Sequence, residues 1–322
     1  MRIHKTTLRS GITRTKEFEK KGRASFAVNV GTKCGHGCLY CSTGAVLRMH
    51  RSFRDVGEDP FGSGYAIVDP TTPERVAEDA RRLQKRGTVQ LCTLGDAWAP
   101  EAKTHELGRR CLEAILSEPG WTVRILTKNA VVREDFDLIE RHKDRVLVGL
   151  SITGTPEKTD VLRVIEPNGS PVEERMAVLC EAANRGLRTY GTLCPLLPGI
   201  AESEEQVEAL VRFVVGCCAE EVFAEAVNAR GRGMRLCEEA LREAGCPAEA
   251  QALAAVRRGE GWSAYTVRLL SRLQQSMRQH SDISKLRFLL YPSRLLPEDE
   301  ARIRADDAGV VWLGRRSATR AG

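Results

Sequence analysis

Three features are missing from this sequence, and each absence removes a class of protein. No apolar run approaches the ~20 residues that cross a bilayer, which excludes a membrane-spanning helix and predicts no membrane partner. The start carries no apolar segment of the secretory kind. That predicts a cytoplasmic protein, with a transit-peptide reading of the Arg- and Thr-containing first 16 residues as the alternative. No internal repeat and no low-complexity tract is present, so stacked-repeat architectures are out.

A strong charge of one sign is also missing, except at one end. The 322 residues hold 49 basic and 43 acidic side chains, a net charge of +6. Residues 1–24 hold eight of the basic ones (Arg2, Lys5, Arg9, Arg14, Lys16, Lys20, Lys21, Arg23) against Glu17 and Glu19, which leaves 41 of each sign in the rest. The excess is thus a basic N-terminal arm. Such an arm can follow a phosphate backbone or be a solvated tail, so composition alone does not make this a nucleic-acid binder.

Eleven cysteines without a secretion signal argue against a disulfide framework and for ligands, reactive thiols or core filler. Cys111, Cys180, Cys217 and Cys218 fall in helical-looking stretches and read as small buried hydrophobes. The hydrophobic share of 42% and charged share of 29% are those of a soluble globular chain, long enough here to bury a large core.

From residue 25 to about 226 short apolar runs alternate with longer amphipathic stretches. The runs at 25–30, 88–94, 122–127, 145–153, 187–197 and 220–228 are rich in Val, Ile, Leu and Thr without strict polar alternation, as buried parallel strands require. Helical patterns lie near 42–49, 72–86, 104–118, 131–143, 171–186 and 203–216, with Thr104, Asp135, Ser170 and Ser203 as expected caps or first-turn residues of the last four. Repeated βα units predict an α/β fold, a partial (β/α)6 barrel of parallel strands. Functional groups then gather at the carboxyl ends of the strands. Residues 49–70 are rich in Gly, Pro and Asp and read as a long, functional surface loop. After 231 the pattern turns helical, with apolar runs at 285–292 and 309–314. The expected organisation is an arm (1–24), a barrel core (25–231) and an α-rich C-terminal extension packed on the core (232–322).

The stretch "NVGTKCGHGCLYCSTG" (29–44) carries the chemistry. Cys34, Cys38 and Cys41 are spaced C-x3-C-x2-C, and no second cysteine pair lies near to complete a structural zinc site. His36 lies inside the loop and is poorly placed to close it. Three thiolates on a cubane iron–sulfur cluster leave one iron open to an outside ligand, which a catalytic metal needs and a structural one avoids. A zinc or purely structural cluster, in a binding module without catalysis, is the alternative.

The triplet, with Tyr40 just before its last cysteine and a strand ahead of it, resembles the radical S-adenosylmethionine (SAM) superfamily. The resemblance implies a 4Fe-4S cluster whose open iron binds the amino and carboxylate groups of SAM. One electron, from a reductant such as flavodoxin or ferredoxin, then splits the sulfonium, and the 5′-deoxyadenosyl radical takes a hydrogen atom from substrate. Further blocks ("LCTLGDAWAPEAKTHELGRRCLEAIL", "VRILTKNAVVREDFDLIE", "GLSITG", "VIEPNGSPVEERMAVLCEAANRGL", "CPLLPGI", "FAEAVNARG") resemble, in order, the spore photoproduct lyase-like branch. Where many members of that branch have Asp-Pro-Tyr-Gln-Pro, this chain has Asp96-Ala97-Trp98-Ala99-Pro100.

By the same resemblance Tyr40 flanks the adenine, Gly95 and Asp96 contact the methionine amino group, and Lys128 and Ser151 contact the carboxylate and ribose. The residues themselves leave other readings open: a core aromatic, a helix cap and a surface lysine. Glu166 and Arg175 are expected to pair and brace a loop. Cys92, followed by Thr93, resembles the cysteine that returns a hydrogen atom to the product radical in spore photoproduct lyase, and a buried structural thiol is the alternative. The implied reaction is reversal of a thymine lesion in DNA; a peptide, RNA or small metabolite is the other substrate reading. The irregular spacing of Cys217, Cys218, Cys237 and Cys246 reads as unrelated buried thiols and not as a second cluster.

Overall fold

Alternation within the apolar runs decides which side of each strand meets which layer. The structure is a computed structural model that describes residues 1–228, 232–257 and 259–314. Its strands are β1 (Arg2–Lys5), β2 (Ile12–Arg14), β3 (Phe26–Val28), β4 (Gly31–Lys33), β5 (Tyr65–Val68), β6 (Thr88–Leu91), β7 (Thr122–Thr127), β8 (Val146–Leu150), β9 (Arg188–Thr189), β10 (Gly191–Leu196), β11 (Val222–Ala226), β12 (Leu286–Leu290) and β13 (Val310–Trp312). The order β3-β6-β7-β8-β9 is parallel throughout, as is β10-β11-β12-β13. A parallel bridge between Ser151 and Thr192 joins the two runs into one curved wall. Helices connect successive strands from the outside, among them Thr72–Arg82, Leu107–Leu116, Val172–Asn184 and Glu204–Gly216.

The α/β partial barrel expected from the sequence is present. On its outer side Val146, Val148, Val222 and Ala224 pack under the helices in the main core. On the inner side their sequence neighbours Leu147 and Phe223, with Tyr190, Leu289 and Leu313, form a second apolar cluster in the lumen, as the two-residue repeat of a strand dictates. The C-terminal extension does more than pack on this barrel. Its helices are Gly233–Glu243, Pro247–Ala255, Gly259–His280 and Pro297–Ala305, and its two apolar runs become β12 and β13, which lengthen the wall beyond six strands. The boundary expected at 231 lies outside the described residues.

The basic arm is folded into the molecule. β1 pairs with β5 in a small sheet of order β1-β5-β4, and β2 runs antiparallel to β3. Asp79 accepts from the backbone N–H groups of Gly11 and Ile12 at 3.0 Å each, and Asp69 from Leu8 N–H at 2.6 Å. Gly11 has to be glycine: a Cβ there would stand 2.4 Å from the backbone of Arg75. The guanidinium of Arg23, only 8% exposed, stacks 4.3 Å from the Phe223 ring inside the lumen. Arg124 of β7 donates to the carbonyl of Arg23 at 3.3 Å and lies over the Tyr190 ring. A solvated tail is thereby excluded for this part of the arm.

The stretch 49–70 also differs from expectation. It holds a helix, Arg51–Val56, capped by the His50 ring and ended by Gly57 at φ 69°, and then β5. Phe53, Tyr65 and Ile67 give it a small core of its own. Of the four expected caps or first-turn residues, Ser203 makes a full capping box with Gln206, and Asp135 stands at the N-cap position of Phe136–Arg141 without its side chain closing the cap. The three side chains other than Ser203 are claimed elsewhere: Thr104 by the Glu101 carbonyl, Asp135 by the Trp98 indole, Ser170 by the Ala130 N–H. Among the described residues no helix is long and apolar enough to cross a membrane.

Candidate active site

β3 leads through Asn29 and Val30 into β4, and the chain then turns into the cysteine loop. Cys34, Cys38 and Cys41 all line one cleft of about 550 Å³. Leu94 forms part of its wall, and Pro60, Phe61, Gly62 and Ser63 of the 49–70 stretch form another. Gly37 reverses the loop between the cysteines at φ 68°, a conformation L residues rarely adopt. Cys34 and Cys38 are partly buried and Cys41 is exposed.

The loop is held by bonds that leave the thiols free. Glu101 accepts from Gly35 N–H at 2.9 Å, the Asn168 amide donates to the Gly35 carbonyl at 2.8 Å, and Leu39 N–H reaches the Ile165 carbonyl at 2.9 Å. His36 is the centre of this bracing. Its Nδ1 faces the Asn168 carbonyl at 2.9 Å and its Nε2 faces the Asp96 carboxylate at 2.8 Å, so both nitrogens donate and the ring is an imidazolium. Burial works against that charge, but Asp96 outweighs it and the His36 pKa is raised. As expected, His36 does not face the cleft as a ligand.

Asp96 is fully occupied within the protein. Besides His36 it accepts from Trp98 N–H, the Thr127 hydroxyl and Lys128 N–H, each at 2.9 Å. Burial would push its pKa up, yet His36 and these donors hold it below the usual carboxylate range. Gly95 beside it packs on Cys34, whose Cβ would lie 3.7 Å from a Cβ at this glycine. The departure at 96–100 concerns the core: Ala97, Trp98 and Ala99 are buried, and Trp98 fits against Gly108, where any Cβ would strike the indole at 2.5 Å.

Beneath the cysteines three other expected residues come together. Tyr40 donates its hydroxyl to Glu166 in a short bond. Lys128 Nζ donates to Ser151 Oγ at 2.7 Å, stands 3.3 Å from Glu166 and lies 5.6 Å from the centre of the Tyr40 ring. Arg175 completes the group, pairing with Glu166 at 2.6 Å and donating to the Ser151 carbonyl at 2.6 Å. The expected Glu166–Arg175 brace is therefore present. Burial would raise the Glu166 pKa, but Lys128 and Arg175 bring it down to about 2.

The thiols are chemically apt for a cluster. Burial pushes Cys34 well above its ordinary value, with the other two thiols adding to the shift, and burial pushes Cys38 up to about 12. Three thiolates in this place need a positively charged group to replace their protons, which iron supplies. Thiolates on a cubane each bind a different iron, and three of them lining one cleft fit such a group.

Cys92 is not brought to this cleft. It is 4% exposed and lies in the main core. Burial raises its pKa to about 12, so it is a neutral thiol. Nor do Cys217, Cys218, Cys237 and Cys246 gather: Cys237 is buried on Gly233–Glu243, Cys218 is exposed, and Cys217 faces Cys180.

Sequence reasoning passed over Lys33, Asn29, Glu101 and Asn168. Lys33 Nζ donates to the Pro60 and Gly62 carbonyls at 2.9 and 2.6 Å, tying the cleft wall to the cysteine loop. Asn29 accepts from Thr93 and Leu94 N–H at 2.8 and 2.9 Å. Their one visible signal was position, at the ends of apolar runs or beside a cysteine.

Residues 28–214 match the Radical SAM superfamily, more than half of the chain. An uncharacterized protein of Acidianus two-tailed virus is 27% identical over 226 residues, 68% of this chain and 72% of the viral protein. An uncharacterized protein of Mycobacterium tuberculosis is 24% identical over 215 residues, 66% of this chain and 62% of that protein. Among solved structures, a cysteine-to-serine mutant of spore photoproduct lyase matches with TM-score 0.52 at 20% identity, covering 75% of this chain and 66% of that one. A cysteine-to-alanine mutant with dinucleoside spore photoproduct matches with TM-score 0.50 at 18% identity. The chain spans just under two thirds of the length of these lyases and of the mycobacterial relative.

The chain belongs to the radical SAM superfamily and is an enzyme of that kind. Its fold is that of the spore photoproduct lyase-like branch, and family membership implies a 4Fe-4S cluster and SAM.

Proposed function

We propose that Cys34, Cys38 and Cys41 hold a 4Fe-4S cluster in the cleft and that SAM binds beside it, with a thymine lesion in DNA as the substrate. The observation that carries the first part is the convergence of the three thiols on one cleft while the loop's other polar groups are spent on bracing. When bound, the cluster with SAM supplies a single electron for sulfonium cleavage and the radical that takes hydrogen from substrate.

The protein's part is binding, orientation and exclusion of water. Lys128 offers an ammonium, bonded to the Ser151 hydroxyl and paired with Glu166, that is suited to a carboxylate as a point charge. Ser151 offers a hydroxyl to the ribose, and the Tyr40 ring, fixed through its hydroxyl, flanks the adenine. Asp96 acts through others: it positions His36 in the cysteine loop and the backbone of Lys128. The Pro60–Ser63 wall shields the cleft from solvent. A small reducing protein such as flavodoxin or ferredoxin delivers the electron at the exposed Cys41 side.

The substrate reading is supported by the likeness of the fold to spore photoproduct lyase, one of whose structures contains the dinucleoside spore photoproduct. A second reading, a peptide, RNA or small metabolite, is favoured by one observation: Arg23 of the basic arm is spent inside the lumen and not on a phosphate-facing surface. Anaerobic reconstitution with iron and sulfide, followed by dithionite and SAM, tests the chemistry through release of 5′-deoxyadenosine; no release defeats it. Adding dinucleoside spore photoproduct tests the substrate. Appearance of the repaired thymidine dinucleotide supports lesion repair, and SAM cleavage without it turns the assignment to the second reading.

A further inference from the structure

Two thiols outside the cysteine cleft meet in a way that neither the fold nor the radical chemistry requires. Cys180 lies in the last turns of Val172–Asn184, and Cys217 follows the last residue of Glu204–Gly216. Their sulfurs are 3.2 Å apart, close enough for a direct S–H to S contact. A disulfide needs about 2.0 Å between sulfurs, so the two have roughly 1 Å left to travel, within reach of small side-chain rotations. The backbone at Cys217 is fixed, because the Thr189 hydroxyl donates to its carbonyl at 2.6 Å and its own N–H bonds Phe213 O at 3.0 Å. The next residue, Cys218, takes the left-handed conformation at φ 56° and stands exposed. The sharp turn between the two cysteines thus sends one sulfur inward against Cys180 and leaves the other at the surface.

We propose that Cys180 and Cys217 are a redox-active dithiol that a low-molecular-weight disulfide of the glutathione type converts to an intramolecular disulfide. The step balances without any other reagent. The partly exposed Cys180 gives up its proton, and its thiolate attacks one sulfur of the oxidised reagent. The reagent's S–S bond breaks and one small thiol leaves, carrying the proton. Cys217 then loses its proton and attacks the Cys180 sulfur, expelling the second small thiol. Two protein thiols are oxidised and one small disulfide is reduced to two thiols. Burial raises the Cys217 pKa, and the buried bond, once made, is shielded from exchange. The link closes a segment of 37 residues between two outer helices. On chain-entropy grounds it raises the thermal midpoint by roughly 5 °C.

The test uses the cluster-loaded enzyme, held anaerobically in mixtures of reduced and oxidised glutathione, quenched with N-ethylmaleimide and mapped by tandem mass spectrometry. The expected result is one cross-linked peptide pair joining Cys180 to Cys217, with both thiols lost together and restored by dithiothreitol. Cys217→Ser is expected to replace the cross-link by a glutathione adduct on Cys180. Iron content, followed in the same samples, shows that the cluster cysteines are not the source. Cys180 and Cys217 both remaining alkylated while Cys218 takes up glutathione would overturn the proposal. So would a cross-link from Cys180 to Cys218. Neither outcome bears on SAM cleavage, so the two proposals stand or fall separately.

Discussion

His36 Nε2 lies 2.8 Å from Asp96 Oδ2, and through this pair the cysteine loop is fastened to the ends of two neighbouring strands. Asp96 follows β6, and its remaining acceptor sites take Thr127 and Lys128 at the end of β7. Replacing Asp96 with Asn keeps the size but removes the charge that holds the buried imidazolium. The expected outcome is a loss of about 3 kcal/mol in stability, as for any buried pair stripped of one partner. Cluster retention should fall with it, read as iron per chain after desalting. Full iron content and unchanged denaturant unfolding would show that the pair braces nothing.

Removing the thiols should act differently. Cys34→Ala, Cys38→Ala and Cys41→Ala each leave the bracing bonds of the loop in place, because none of those bonds uses a sulfur. Each variant is expected to fold with a thermal midpoint within a few degrees of the parent, yet lose visible cluster absorbance and release no 5′-deoxyadenosine. Retained turnover in any of the three would remove that residue from the ligand set.

Lys128 carries the affinity prediction. An ammonium–carboxylate bond contributes about 1.5–3 kcal/mol, so Lys128→Met should weaken SAM binding by roughly 10- to 100-fold. Calorimetry on the reconstituted, unreduced enzyme measures it. Equal affinity in the variant would leave Lys128 as a partner of Glu166 and Ser151 only.

Glu166 sets a pH dependence. Its pKa in the folded protein is about 2, below the ~4.3 of an ordinary glutamate, so the unfolded chain binds the proton more readily. The contribution is fully present above the unfolded value and is lost as pH falls toward about 2. Urea unfolding between pH 5 and 2.5 should therefore show a steeper loss in the parent than in Glu166→Gln. The variant should also be about 3 kcal/mol less stable near neutrality, since Lys128 and Arg175 lose their anion.

Cys92 lies in the core and away from the cleft. Cys92→Ala is expected to cost about 1 kcal/mol through a small cavity and to leave both 5′-deoxyadenosine release and product identity unchanged. A changed product would restore the hydrogen-donor role to this thiol.

Much of this was legible in the residues. Val146–Leu150 and Thr122–Thr127 announced buried parallel strands because both their faces are covered, and the C-x3-C-x2-C spacing announced the loop. The pairing of Glu166 with Arg175 was also within reach. What stayed hidden depended on contacts distant in sequence. Asp135 and Ser170 have the chemistry of caps, but tertiary partners claimed them, Trp98 and Ala130. The Gly- and Pro-rich stretch after Met49 hid a strand because β5 is only four residues long and gains its partners from β1 and β4. The arm's basic composition left a phosphate-following segment or a solvated tail open, since nothing local shows that Arg23 meets Phe223.

The seam between Met1 and the cysteine loop has a practical consequence. A Cβ at Gly35 would lie 2.3 Å from the Met1 sulfur and 2.7 Å from Glu101 Oε2. Any purification handle fused ahead of Met1 would have to emerge alongside the residues proposed to receive iron. Reconstitution yields from such fusions would then report on the handle as much as on the enzyme.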